Sequence, residues 1–206
     1  MVGGPGSGKT TIAKLVTKTY FPSIVFSVIN PDDVNESIFN GSNNCRRESN
    51  QITLEFYDQA KRYKRDLIYD ITGRVYSDFN KNIIDLNQTG YDVSICIVLT
   101  QPEVAVERAT RRFTSGESNR QITPAYVLDV HRQIRDVIQQ YAIIPTKTVK
   151  NIFVYENSNL PKLVLYRNNY NVKCLNPSII KNWFSHVNQS ICNKSSKKAP
   201  RKSSKK

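Results

Sequence analysis

The sequence predicts a three-layer α/β fold with a mostly parallel sheet. Three observations carry that prediction. A glycine-rich loop runs straight into an amphipathic helix, apolar β-branched runs of strand length alternate with helical periodicities, and two of those runs end in aspartates. At 206 residues the chain is long enough for one α/β domain with a sizeable core and short for two.

The loop is Gly3-Gly4-Pro5-Gly6-Ser7-Gly8-Lys9-Thr10, which fits the phosphate-binding pattern G-x-x-x-x-G-K-[S/T]. Its glycines let the backbone take φ > 0 and turn N–H groups inward around an anion. Lys9 offers an ammonium to the β/γ-phosphates, and Thr10 offers a hydroxyl to Mg²⁺. After Thr11, the residues Ile12, Leu15 and Val16 share one helical face, so the loop ends on a helix N-terminus whose dipole favours phosphate. Gly3 to Thr11 is therefore the expected ATP site, with Mg²⁺ on Thr10. Such a loop follows a buried strand. Only Met1 and Val2 precede Gly3, so the first strand is expected as a truncated stub.

Phe21-Pro22 ends the first helix, and Ile24 to Asn30 reads as a buried strand. Asn30-Pro31-Asp32-Asp33 is a turn that opens a helix, with two carboxylates where α/β sheets hold ligands. Either aspartate could instead cap that helix. Residues 50–65 are helical, with Ile52, Phe56 and Ala60 on the expected apolar face. Leu67 to Tyr69 is a short strand ending in Asp70-Ile71-Thr72-Gly73-Arg74, followed by a helix to about Asn87. Tyr91 to Thr100 is the clearest strand. Pro102 starts a helix carrying Arg108, Arg111 and Arg112, which leads to the polar loop Phe113 to Arg120. Arginine around a glycine-containing loop, in a chain with a phosphate loop, suggests a phosphate-contacting lid, because guanidinium binds phosphoryl oxygens bidentately. A long helix follows from Ile122 to Tyr141. Strands at 151–155 and 163–166 and a last helix from Pro177 to about Val187 complete the chain.

The net charge of +13 is uneven: seven Lys/Arg and no acids fall between Asn193 and Lys206, leaving +6 on the rest. That stretch is a polar, low-complexity tail suited to solvation, weak nucleic-acid binding or nuclear localisation. Residues 1–192 are read as the folded domain and 193–206 as the tail. Cys45, Cys96, Cys174 and Cys192 lack metal-site spacing, which fits reduced thiols in a cytosol-like compartment. His131 and His186 are too far apart to suggest a metal pair. No secretory signal or membrane span is readable.

With these motifs in order, the chain resembles the zeta-toxin-like branch of the P-loop kinases. The resemblance rests on Gly3 to Thr10, Ile29 to Asp33, Asp70 to Arg74, and the arginines from Arg108 to Arg120 followed by Ile122-Thr123-Pro124; it covers roughly residues 1–145. It implies a P-loop kinase-like fold and transfer of the ATP γ-phosphate to an alcohol. It also implies a general base at Asp32, with Asp33 the alternative, and an acceptor held by Asp70 and Thr72 beside Asp33 and Arg74. Phosphoryl charge would be stabilised by Lys9, Arg120 and one of Arg108, Arg111 or Arg112, with Arg112 the preferred candidate. Toxin members phosphorylate a UDP-linked amino sugar and usually carry glutamate where this chain has Asp70. The expected function is a small-molecule kinase acting on a sugar nucleotide or nucleoside. A polynucleotide 5′-hydroxyl kinase and a non-catalytic ATP-binding protein are the alternatives.

Overall fold

The computed structural model describes residues 1–142, 147–168 and 171–184. The basic tail, His186 and Cys192 lie outside the described residues. Helix α1 (Lys9–Tyr20) springs from the phosphate loop. Next come β1 (Ser27–Ile29), α2 (Pro31–Phe39), α3 (Arg46–Arg62), β2 (Leu67–Tyr69), α4 (Tyr76–Gln88) and β3 (Ser94–Leu99). They are followed by α5 (Pro102–Thr114), α6 (Pro124–Ala142), β4 (Asn151–Glu156), β5 (Lys162–Asn168), β6 (Asn171–Cys174) and α7 (Pro177–Trp183).

β1 and β2 pair parallel, and so do β3 and β4, while β5 and β6 extend the second sheet antiparallel. Val2 stands between the two sheets, bridging in parallel to Ile71 beyond β2 and to Ile97 in β3. The stub therefore holds the central position, in the order β1-β2-Val2-β3-β4-β5-β6. Three layers follow from the alternation of β3. Cys96 and Val98 meet Ile12 and Val16 of α1 on one face, while Ile95, Ile97 and Leu99 meet α4, α6 and α7 on the other. Burial on both faces is why β3 reads as a continuous apolar run.

Four expectations are corrected. β1 is an edge strand, with Val28 60% exposed, because nothing among the described residues covers its outer side; β-branched composition does not separate edge from centre. On α3 the buried stripe is Thr53, Tyr57 and Ala60, and Phe56 is 48% exposed. Tyr57 wins because its ring packs against Tyr69 at 4.8 Å, a partner the sequence does not reveal. Leu15 is 38% exposed on α1, leaving Ile12 and Val16 as the fully packed pair. Cys174, expected as a reduced thiol, is disulfide-bonded.

Candidate functional site

The phosphate loop curls over the first turn of α1. Gly6 has φ +72°, and a Cβ there would lie 2.2 Å from the Ala105 carbonyl oxygen of α5. Only glycine fits both demands. Gly6→Ala is expected to lower Tm by ~2–10 °C, from backbone strain of ~1–3 kcal/mol, and to weaken nucleotide binding. Thermal melting and a nucleotide titration check both effects.

Buried side chains hold the loop's carbonyls from below. Thr100 Oγ1 donates to the Ser7 carbonyl at 3.1 Å, and Asn157 Nδ2 donates to the same oxygen at 2.8 Å. His131 Nε2 lies 2.9 Å from the Pro5 carbonyl. Burial holds His131 below its ordinary pKa, so a neutral ring with its proton on Nε2 makes that bond. Within the loop the Ser7 N–H donates to the Gly4 carbonyl at 3.2 Å, and with the carbonyls of Pro5 and Ser7 occupied beneath, the remaining N–H groups suit an anion above. None of these three partners is evident in the sequence, since each comes from a different distant element.

Lys9 folds back over its own loop. Its Nζ donates to the Gly3 carbonyl at 3.0 Å and pairs with Asp70 at 3.5 Å. Asp70, at the C-terminal end of β2, is 7% exposed, and its Oδ1 accepts no hydrogen bond. That oxygen is ion-paired with Lys9 yet short of a hydrogen bond, which a further donor would supply. Thr10 is exposed on the first turn of α1. Thr72 is half-buried in the segment after Asp70, and Arg74 is exposed at its end.

Asn30, rather than either aspartate, caps α2: its side chain accepts from the Asp32 N–H at 2.9 Å. Neither carboxylate is used as the cap. Arg46 Nη1 donates to Asp32 Oδ1 at 2.7 Å, and Arg120 donates to the same oxygen. Burial alone would raise the Asp32 pKa, but Arg120 and Arg46 outweigh it and hold the carboxyl below the ordinary value. Asp33 goes the other way. Burial, with Asp70 and Asp32 nearby, raises it, and a side-chain hydrogen bond with Asn30, followed by the charge of Arg112, opposes the rise. Two adjacent aspartates thus have opposite shifts within one electrostatic cluster, which also includes Lys9.

The arginine-rich segment is docked on α2. Glu36 accepts from Ser118 Oγ and from the N–H groups of Arg120 at 3.3 Å and Asn119 at 3.4 Å. Asn119 Nδ2 also donates to Asn40 Oδ1 at 2.6 Å. That docking brings Arg120, its side chain 9% exposed, to Asp32 across 88 residues of chain. Arg108 is engaged elsewhere, donating to the carbonyls of Asn157 at 2.8 Å and Ser158 at 3.2 Å. Arg111 and Arg112 are exposed, and Arg112 is the one whose charge reaches Asp33. Sequence reasoning missed Glu36 and Arg46. A signal existed for Glu36, which stands four residues after Asp32 on the same face of α2; Arg46 had none.

Among the described residues, no group of three or more metal-binding side chains gathers, and no helix is long and apolar enough to cross a membrane. No curated protein sequence matches the chain. The fold resembles that of AvrRxo1-ORF1:-ORF2, solved with ATP, at a TM-score of 0.67 and 18% identity over 88% of this chain and 61% of that one. It also resembles a structure from the PezAT chromosomal toxin–antitoxin system of Streptococcus pneumoniae, at a TM-score of 0.61 and 16% identity over 91% of this chain and 78% of that one. The chain thus spans about three fifths of the AvrRxo1 chain it matches. Those identities establish a shared fold. The sequence itself goes further, because the Zeta toxin family model matches residues 1–171, through the phosphate loop, both acidic strand ends, the arginine-rich segment and the β4–β5 hairpin. The chain belongs to the zeta-toxin family.

Proposed function

We propose that the chain is an ATP-dependent phosphotransferase that moves the γ-phosphate to a hydroxyl of a small molecule. The observation that supports this reading best is convergence: Lys9, Asp32, Asp33, Asp70, Arg112 and Arg120 come from five segments into one electrostatic cluster. Phosphoryl transfer needs positioning and cations around spreading negative charge more than covalent help. The residues fit a magnesium nucleotide. Loop N–H groups and the Lys9 ammonium suit phosphate, while the Thr10 hydroxyl is a hard donor of the kind Mg²⁺ takes. The metal would supply charge neutralisation at the phosphates.

In this reading Lys9 leaves the Gly3 carbonyl and Asp70 for the terminal phosphates. Arg120, released from Asp32, turns its fork to the transferring group, with Arg112 beside it. Asp32 then takes the acceptor's proton, while Asp70 and Thr72, with Asp33 and Arg74, hold the acceptor. Sugar nucleotides and nucleosides are the proposed acceptors. ATP as donor is supported by the phosphate loop and by the ATP in the AvrRxo1-ORF1:-ORF2 structure.

Incubation with labelled ATP and three acceptor pools (sugar nucleotides, nucleosides and 5′-hydroxyl oligonucleotides) tests the proposal. Label in either small-molecule pool supports it, label in the oligonucleotide pool replaces it with a polynucleotide kinase, and binding without transfer leaves a nucleotide-binding protein. Lys9→Ala is expected to weaken affinity for a fluorescent ATP analogue by roughly 10–100-fold, the worth of one charge-assisted contact. Equal affinities would overturn the site. For the tail we propose salt-sensitive, sequence-indifferent nucleic-acid binding from its seven positive charges. Deleting residues 193–206 should abolish oligonucleotide binding and spare ATP binding, measured by parallel titrations.

A further inference from the structure

Gly4 is glycine for a different reason from Gly6. It has no positive φ, and Pro5 after it favours extended backbone, which any residue adopts. What excludes a side chain at Gly4 is His131. A Cβ there would fall on the imidazole, against Nε2, 2.6 Å from Cδ2 and 2.9 Å from Cε1. The pattern G-x-x-x-x-G-K leaves this position open, so its glycine answers to this chain's own histidine.

The histidine is firmly seated on the helix that carries it. It sits about two turns into α6, 7% exposed, and shares a helical face with the buried Val127, Val130 and Ile134. Its Nε2–H donates to the Pro5 carbonyl at 2.9 Å, and its ring takes the space beside the Gly4 Cα. The Gly4 carbonyl in turn accepts from Lys9 Nζ at 3.5 Å. α6 begins just after the docked segment 118–120, and α5, which leads into that segment, meets the loop at Gly6 through Ala105. Both helices that flank the arginine-rich segment therefore rest on glycines of the phosphate loop.

We propose that His131 is a positioning residue for the nucleotide's phosphates, acting through Gly4 and Pro5 to set the phosphate loop against the arginine-bearing helices. The inference rests on the nucleotide reading above. His131 is not itself a phosphate ligand, because its Nε2–H is taken by the Pro5 carbonyl. A loop fixed at Gly4, Pro5 and Gly6 keeps its inward N–H groups in one arrangement before the ligand arrives, and such preorganisation appears as affinity. A histidine that only filled space would be replaced equally well by leucine. One that sets the loop by its hydrogen bond is replaced by glutamine, whose amide nitrogen has a similar reach.

Titrations of the full chain with inorganic triphosphate and with a fluorescent ATP analogue test this. His131→Leu is expected to weaken both by a similar factor of about 3–10-fold, the worth of one neutral hydrogen bond. His131→Gln should recover most of that loss. Gly4→Ala should cost ~10-fold or more alone, and no more than about 3-fold in a His131→Ala background, because residues in contact are not additive. Thermal melting reads the same pair without a ligand: Gly4→Ala should lower Tm by about 5 °C beside the histidine and by less than ~2 °C in the His131→Ala background. Unchanged triphosphate affinity in His131→Leu, equal effects of leucine and glutamine, or a Gly4→Ala cost indifferent to residue 131 would each overturn the assignment. A loss for the ATP analogue without one for triphosphate would also overturn it, moving the residue to recognition of the base. If the unsubstituted chain binds neither ligand, the nucleotide reading falls and this assignment with it, whereas binding indifferent to His131 removes this assignment alone.

Discussion

Asp32→Asn is expected to cut turnover by about 10²–10⁴-fold, the usual range for loss of a general base, with nucleotide affinity nearly unchanged. The substitution keeps shape and removes the proton acceptor, while the proposed phosphate contacts come from the loop and Lys9. A capping role for this side chain would make the change almost silent, but the cap of α2 is Asn30. Asp33→Asn is the companion measurement. The two carboxyls separate by pH as well as by mutation. Asp32 is held below the ordinary aspartate value and Asp33 above it, and a base works only above its own pKa. The acid limb of kcat/KM should therefore lie below the ordinary aspartate range for Asp32 and above it for Asp33. Full activity in both single variants, measured as labelled phosphate transferred, would end the assignment.

Arg120→Ala is expected to reduce turnover by about 10³-fold or more, the scale of an arginine that stabilises phosphoryl charge. Arg120→Lys should recover only part of that loss, because an ammonium lacks the bidentate fork. A second readout separates this role from a purely structural one. Arg120 is the strongest charge holding Asp32 down, with Arg46 next. Removing it lets the carboxyl rise toward the ordinary aspartate value, so the acid limb of kcat/KM should move to higher pH. Arg46→Ala should move it the same way with a smaller loss of turnover. An unshifted profile in Arg120→Ala, together with near-normal turnover, would reduce the residue to a tie between the lid and α2.

The sequence alone determined the parts whose physics is local. The phosphate loop is a contiguous run in which glycine spacing, Lys9 and Thr10 act together, so its position and the helix behind it were legible without any fold. β3 was legible for a similar reason, since a strand covered on both faces must be apolar throughout. The acidic strand ends and the arginines were visible as residue types, and their order along the chain carried the family resemblance.

Only the tertiary structure decided what those charges do to one another. Asp32 and Asp33 are neighbours in sequence, yet Arg46 and Arg120 lower one and burial beside Asp70 raises the other. Glu36 draws the segment 118–120 onto α2, and without that docking Arg120 has no reason to meet Asp32. Tyr57 rather than Phe56 is buried on α3 because Tyr69 stands opposite it. The physical reason is the same throughout. Propensity, periodicity and loop geometry act over a few residues, whereas Coulomb interactions, burial and sheet pairing depend on distances that exist only once the chain is folded.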